Sequence, residues 1–137
     1  MTDVLLSVAS SLTGLWGVAH LFATRGVVAG FGDLTADNRR ILTMEWIVEG
    51  VALVSLAALV AVVTAVDAAA TLSSAVYAVA IATLIAMALV SLFTGFRVAF
   101  LPFRLCPVIF GLSALLSPPR APRKPVCNHS AIEIRAS

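Results

Sequence analysis

Apolar residues run through this chain in four long blocks separated by short polar interruptions. Residues 4–24, 41–66 and 68–93 are each continuous enough in Val, Leu, Ile, Ala and Phe to meet the roughly 20-residue requirement for crossing a bilayer as a helix. A fourth block, 96–116, is long enough but carries Arg97 and Arg104 and is interrupted by Pro102 and Pro107. The pattern predicts an all-α, integral membrane, up-down four-helix bundle. Its second and third helices should form an antiparallel hairpin joined almost directly around Asp67. Between the first two helices, the turn formers Gly26, Gly30, Gly32 and Asp33 predict a long loop over residues 25–40, with Thr35 or Asp37 placed to cap the second helix. A loop of that length often carries function, and this one would lie over one mouth of the bundle.

Composition strengthens the membrane reading. Of 137 residues, 61% are hydrophobic and only 12% charged, and the mean hydropathy of +1.05 excludes a soluble domain of this size. Asp3 is the only charge before the first span, so the basic start of a cleavable leader is missing and the first helix is expected to be retained. From residue 117 the composition changes abruptly. Four prolines with Arg120, Arg123, Lys124 and Arg135 predict a disordered basic tail over residues 117–137, and its sudden onset also fits a fourth helix cut short by a frameshift. Basic residues divide almost evenly between the two sides of such a bundle, so the positive-inside rule sets no orientation, and both termini are assigned to the cytoplasm. The expected location is the inner (plasma) membrane, as a multi-pass protein. The net charge of +2 gives no case for a nucleic-acid partner. Cys106 and Cys127 match neither a redox nor a zinc spacing.

Candidate chemistry begins with Glu45 and Glu49, one helical turn apart inside an apolar span. A charge in hydrocarbon costs roughly 2.5–3.5 kcal/mol on insertion scales, so such groups need a partner, a proton or a watery cavity. In an up-down bundle the end of helix one and the start of helices two and four meet at one membrane face. At about 1.5 Å rise per residue, His20 and Glu45 lie about 6 Å deep, and Glu49 and Arg104 about 12 Å. These four residues should line a polar pocket, with Trp16, Trp46 and Cys106 nearby. Trp46, turned about 100° from Glu45, is expected at the interface as an aromatic anchor. The two prolines flanking Arg104 should break the fourth helix at pocket depth.

Each candidate has a plainer reading. Glu49 with Arg104 serves equally well as a structural ion pair. Glu45 is close enough to its helix start to snorkel to the headgroups. His20 is better read as a hydrogen-bonded structural histidine than as a metal ligand, and Cys106 as inert. No Glu-x-x-His repeat completes a di-metal centre, so neither a metal nor a cofactor is assignable. Small residues recur at every fourth position, Ala57, Ala61 and Ala65 on helix two and Ser74, Ala78, Ala82 and Ala86 on helix three. They allow close helix packing and leave self-association open, most often as a symmetric homodimer.

Four short spans, a histidine late in the first, and a second helix opening with NRRILTMEWIVEG over residues 38–50 resemble the small bacterial four-helix membrane proteins grouped as DoxX-like. The resemblance is architectural and covers residues 14–116. It implies the four-helix fold and, through a few members of those families, a link to quinone-coupled or sulfur redox steps. The residues themselves favour a bundle that binds a small amphipathic partner, a quinone, a lipid or another subunit, in the polar pocket. The alternatives are an intramembrane acid/base enzyme using Glu45 or Glu49 with His20 on a lipid-like substrate, and a proton-coupled small-solute transporter.

Overall fold

The structure is a computed structural model and describes residues 2–66, 69–95 and 101–117. The expected Asp67 turn, Arg97 and the tail from residue 118 onward lie outside the described residues. Four helices follow one another: α1 (Thr2–Ala29), α2 (Ala36–Ala65), α3 (Ala70–Val90) and α4 (Leu101–Leu115), with a single π turn, Ser91–Gly95, closing α3. The described residues are helical almost throughout. Three helical segments are long and apolar enough to cross a membrane, while the fourth is shorter. At 15 residues, α4 reaches about 22 Å, against the ~30 Å of bilayer hydrocarbon.

The loop predicted over residues 25–40 is mostly helix. α1 runs on through Arg25 to Ala29 and α2 begins at Ala36, leaving residues 30–35 as the connection. Polar residues mark where a helix leaves hydrocarbon, not where it ends. Val27 and Val28 bury 94% or more of their surface beyond Thr24, and so carry α1 onward. The turn itself uses Gly32 at φ +74°, a left-handed conformation that glycine adopts without strain. The Thr35 hydroxyl accepts from the Asn38 N–H at 3.2 Å and caps α2, as its position predicts.

α1 and α2 make the most intimate pair, α3 packs on α4, and the sequence-adjacent α2 and α3 touch least. A Cβ on Gly17 would lie 2.9 Å from the Gly50 carbonyl oxygen, so the two backbones meet there with no room for a side chain. One core cluster, at the end where α1 begins, joins Leu6, Val60, Val63, Tyr77 and Ala80. A second joins Leu53, Leu84, Cys106, Phe110 and Ala114, with Trp16 and Met87 against it. The outer faces carry exposed Leu15, Phe22, Val62, Val79 and Val90, an apolar surface suited to lipid rather than water.

Several hydroxyls inside the helices return to their own backbone, as Thr13 to the Ala9 carbonyl at 2.9 Å and Thr83 to Val79 at 2.9 Å, so no solvent is needed to satisfy these. Of the small-residue stripes, Ala57 is buried, but Ala61, Ala65, Ser74, Ala78, Ala82 and Ala86 all face outward. α3 instead packs through Ser73, Tyr77, Ala80 and Leu84. Nor do the prolines break α4. Pro107 lies within the continuous helix, where it lacks the N–H that would donate to the Phe103 carbonyl one turn back.

Candidate functional site

The line of α2 that faces α1 and the core runs through Trp46, Gly50, Leu53, Ala57 and Val60. At 3.6 residues per turn, Glu49 stands about 60° off Trp46 and Glu45 about 100° off on the same side. Glu49 therefore reaches inward at the edge of the packed face and Glu45 does not. α1 crosses α2 at Gly17 and Gly50 and so brings His20 against Trp46 and Glu49. α3 and its π turn supply the opposite wall, with Ala86, Met87, Val90, Ser91 and Thr94, and α4 contributes Phe103 and Cys106. Together they enclose an open-mouthed cavity of about 400 Å³, within the range of small-molecule sites.

His20 is the centre of the arrangement. It is 3% exposed and sits in an aromatic clamp. The Trp46 indole stacks on its ring at 4.6 Å and 19°, and Trp16 meets it edge-on at 5.4 Å and 71°. Its carbonyl accepts the Trp46 indole N–H across the helix pair at 2.8 Å and the Thr24 hydroxyl at 2.9 Å. Phe103 extends the aromatic surface, edge-on to Trp46 at 5.3 Å, and Phe31 from the loop caps Phe103 at 6.3 Å.

The imidazole has a defined polarity. Nδ1 lies 3.0 Å from the Trp16 carbonyl oxygen. A carbonyl only accepts, so Nδ1 carries a hydrogen and donates it. In the neutral form of the ring Nε2 then carries a lone pair, and it faces Glu49 Oε1 at 3.7 Å, beyond hydrogen-bonding distance. Nε2 is buried and has no hydrogen-bond partner among the described residues.

The six candidate residues divide. His20, Glu49 and Cys106 line the cavity, and Trp16 stands behind His20. Glu45 and Arg104 are exposed and lie outside it. The partner expected for Glu49 was Arg104, but Arg104 is exposed on α4 and the side chain that faces the Glu49 carboxylate, at 3.7 Å, is His20. Trp46, expected at the interface, is 9% exposed and forms a wall of the site. The signal that places it there is the 46, 50, 53, 57 repeat with small residues at Gly50 and Ala57, a packing seam of which Trp46 is the end member. Among the described residues no group of three or more His, Cys, Asp or Glu side chains is arranged to hold a metal ion.

Chemically, the site offers aromatic and aliphatic walls for an apolar body, with a buried imidazole and a carboxylate for one polar head. The Glu49 side chain is 33% exposed and stands at the mouth, while that of His20, at 2%, is at depth. Two other grooves, on the outer face of α1 and between α3 and α4, hold no buried titratable side chain. Comparison with known proteins finds no matching family, no matching curated protein and no matching solved structure.

Proposed function

We propose that this protein binds a small amphipathic molecule, a quinone-like or lipid-like compound, with its polar head in the His20–Glu49 cavity and its apolar part among the helices and lipid. One observation carries the reading. His20 and Glu49 line an aromatic-walled cavity of about 400 Å³, and the imidazole Nε2, buried beside the carboxylate, has no hydrogen-bond partner among the described residues. Burying a polar group without a compensating bond costs about 1–3 kcal/mol by mutational measures, an expense that a bound head group removes. In this reading the protein is a multi-pass component of a bacterial inner membrane, related in architecture to the DoxX-like proteins.

Native mass spectrometry of the protein released from mild detergent tests it, with Ala86→Trp as the comparison. Ala86 lines the cavity and is otherwise exposed, so the indole fills the cavity without disturbing the core. A small-molecule adduct retained by the wild type and lost in Ala86→Trp is the expected result. Identical, empty spectra from both proteins, after extraction from native membrane, refute it.

The alternative of an acid/base enzyme keeps one supporting feature, the 3.7 Å approach of an imidazole and a carboxylate. It would rest on His20 and Glu49, since Glu45 lies outside the cavity.

A further inference from the structure

Most donors on the side chains around the cavity are engaged; the Cys106 thiol, a weak donor in the lining, and the Trp16 indole N–H behind His20 are the exceptions beside Ser91. The Nδ1–H of His20 is committed to the Trp16 carbonyl, the indole N–H of Trp46 to the His20 carbonyl at 2.8 Å, and the Thr94 hydroxyl to the Val90 carbonyl at 2.6 Å. Ser91 alone among the lining hydroxyls shown is left to turn either way. Between α1 and α2 stands His20 Nε2, which in the neutral imidazole is an acceptor, with the carboxylate of Glu49 3.7 Å away. Two acceptors at that separation repel unless a hydrogen lies between them.

We propose that this slot selects a hydroxyl: the ligand is an alcohol or phenol on an apolar body, donating its hydrogen to His20 Nε2. The inference rests on the amphipathic-ligand reading above and specifies its head group. A carbonyl or ether oxygen in the same place would bring a third acceptor against two and leave Nε2 unpaired. Sites built to bond a substrate hydroxyl reject analogues that lack it, because the buried protein group is then left unsatisfied. Glu49, being one-third exposed, keeps its hydration at the mouth, so the single hydroxyl hydrogen goes to the fully buried nitrogen. The Trp46 and Phe103 rings favour a phenol over an aliphatic alcohol, since an aromatic head gains ring contacts that an alkyl chain does not.

The test uses the full chain in lipid nanodiscs, titrated calorimetrically with 4-decylphenol, its methyl ether 4-decylanisole and 1-decanol, with empty nanodiscs subtracted. The phenol is expected to bind roughly tenfold tighter than its ether, the worth of one net hydrogen bond, with the alcohol between them. Glu49→Gln places an amide donor at the mouth and should shrink that ratio without unfolding a position that is one-third exposed. Phenol and ether binding equally would overturn the selection while leaving the cavity a ligand site. Binding of none of the three would overturn the ligand reading as well.

A second readout needs no affinity. The chain has only 2 histidines, so ¹⁵N imidazole spectra resolve His20. The expected spectrum shows an Nδ1–H tautomer whose Nε2 resonance moves on adding the phenol and stays on adding the ether. Two protonated nitrogens in the ligand-free protein at neutral pH would mean that Nε2 carries its own hydrogen toward Glu49, and would overturn the proposal.

Discussion

Replacing Gly17 by alanine tests how the site is built. A Cβ there would sit 2.9 Å from the Gly50 carbonyl oxygen, 2.9 Å from Leu53 Cβ and 3.0 Å from Val54 Cγ2, against 3.4 Å or more for ordinary contact. Backbone and Cβ atoms have no rotamer to escape into, so α1 and α2 must part by about half an ångström. Overpacking of this kind costs about 1–3 kcal/mol. Alanine also gains about 0.8–1 kcal/mol of helix propensity over glycine, which would blur the result if Gly17 were changed alone. Gly26 supplies the correction. It lies on the same helix with nothing within 4 Å of its added Cβ, so Gly26→Ala gains the propensity and meets no clash.

The difference between the two variants, about 1–3 kcal/mol in favour of Gly26→Ala, isolates the contact. Gly50→Ala should fall between them, because two of its three close neighbours belong to the flexible Leu21 side chain, at 2.8 and 2.9 Å, and the rigid Gly17 carbonyl oxygen lies slightly farther at 3.0 Å; Gly14→Ala, facing only Ala57 Cβ at 3.2 Å, should cost less still. Unfolding in mixed micelles with rising dodecyl sulfate, followed by far-ultraviolet circular dichroism, reads the order. Equal stability of Gly17→Ala and Gly26→Ala would refute the packing assigned to α1 and α2.

Trp46→Phe keeps a ring beside His20 but deletes the donor to its carbonyl; the expected loss is about 0.5–1.5 kcal/mol in the same unfolding assay, with wild-type stability as the contrary result. Glu45→Gln and Arg104→Gln should leave binding of 4-decylphenol within twofold of wild type, because both side chains lie outside the cavity and such surface changes alter energies by about 0.5 kcal/mol or less. A tenfold loss in either variant would return that residue to the site. At the other end of the bundle, Thr64 donates its only hydroxyl hydrogen to the Val60 carbonyl at 2.7 Å, so the 2.9 Å contact with Tyr77 is one in which Tyr77 donates. A double-mutant cycle of Thr64→Val with Tyr77→Phe should show a coupling near 0.6 kcal/mol, the average for such pairs in membrane helices; zero coupling would break this link between α2 and α3.

The membrane class and the helical segments were legible because hydrocarbon demands long apolar runs, and nothing else in a chain of this size produces them. Helix ends were less legible. Arg25 and the Asp37 to Arg40 segment read as loop because they leave the apolar core, yet a helix of 28 or 30 residues outlasts a ~30 Å hydrocarbon layer and projects beyond it. Rise per residue put His20 and Glu49 toward one end of the bundle with Cys106 nearby, and the cavity brings those three together. Rotation was not. Glu45 and Glu49 share a face by spacing, but a four-residue step still turns about 40°, enough at the edge of a packed seam to put one carboxylate inside and the other out. Hydropathy gave no warning that a tryptophan, rather than a charge, occupied the end of that seam.

The packing order of the helices also sets the order in which a ligand would meet the polar groups. α1 and α2 are locked at Gly17 and Gly50, one turn from His20, and that lock holds the His20 carbonyl 2.8 Å from the Trp46 indole nitrogen. The opposite wall belongs to α3, its π turn and α4, where a Cβ on buried Gly95 would stand 3.4 Å from the Phe103 carbonyl oxygen. α2 and α3 touch least of the packed helix pairs, and on the proposed reading a ligand would enter along the seam between the two walls. A head group entering there passes Glu49, one-third exposed at the mouth, before it reaches His20, 2% exposed at depth. The carboxylate is thus the first polar group encountered and the imidazole the last. On the proposed reading an apolar molecule would gain nothing from the first, and one without a hydrogen to give would gain nothing from the second, so such ligands would be held only by the aromatic and aliphatic walls.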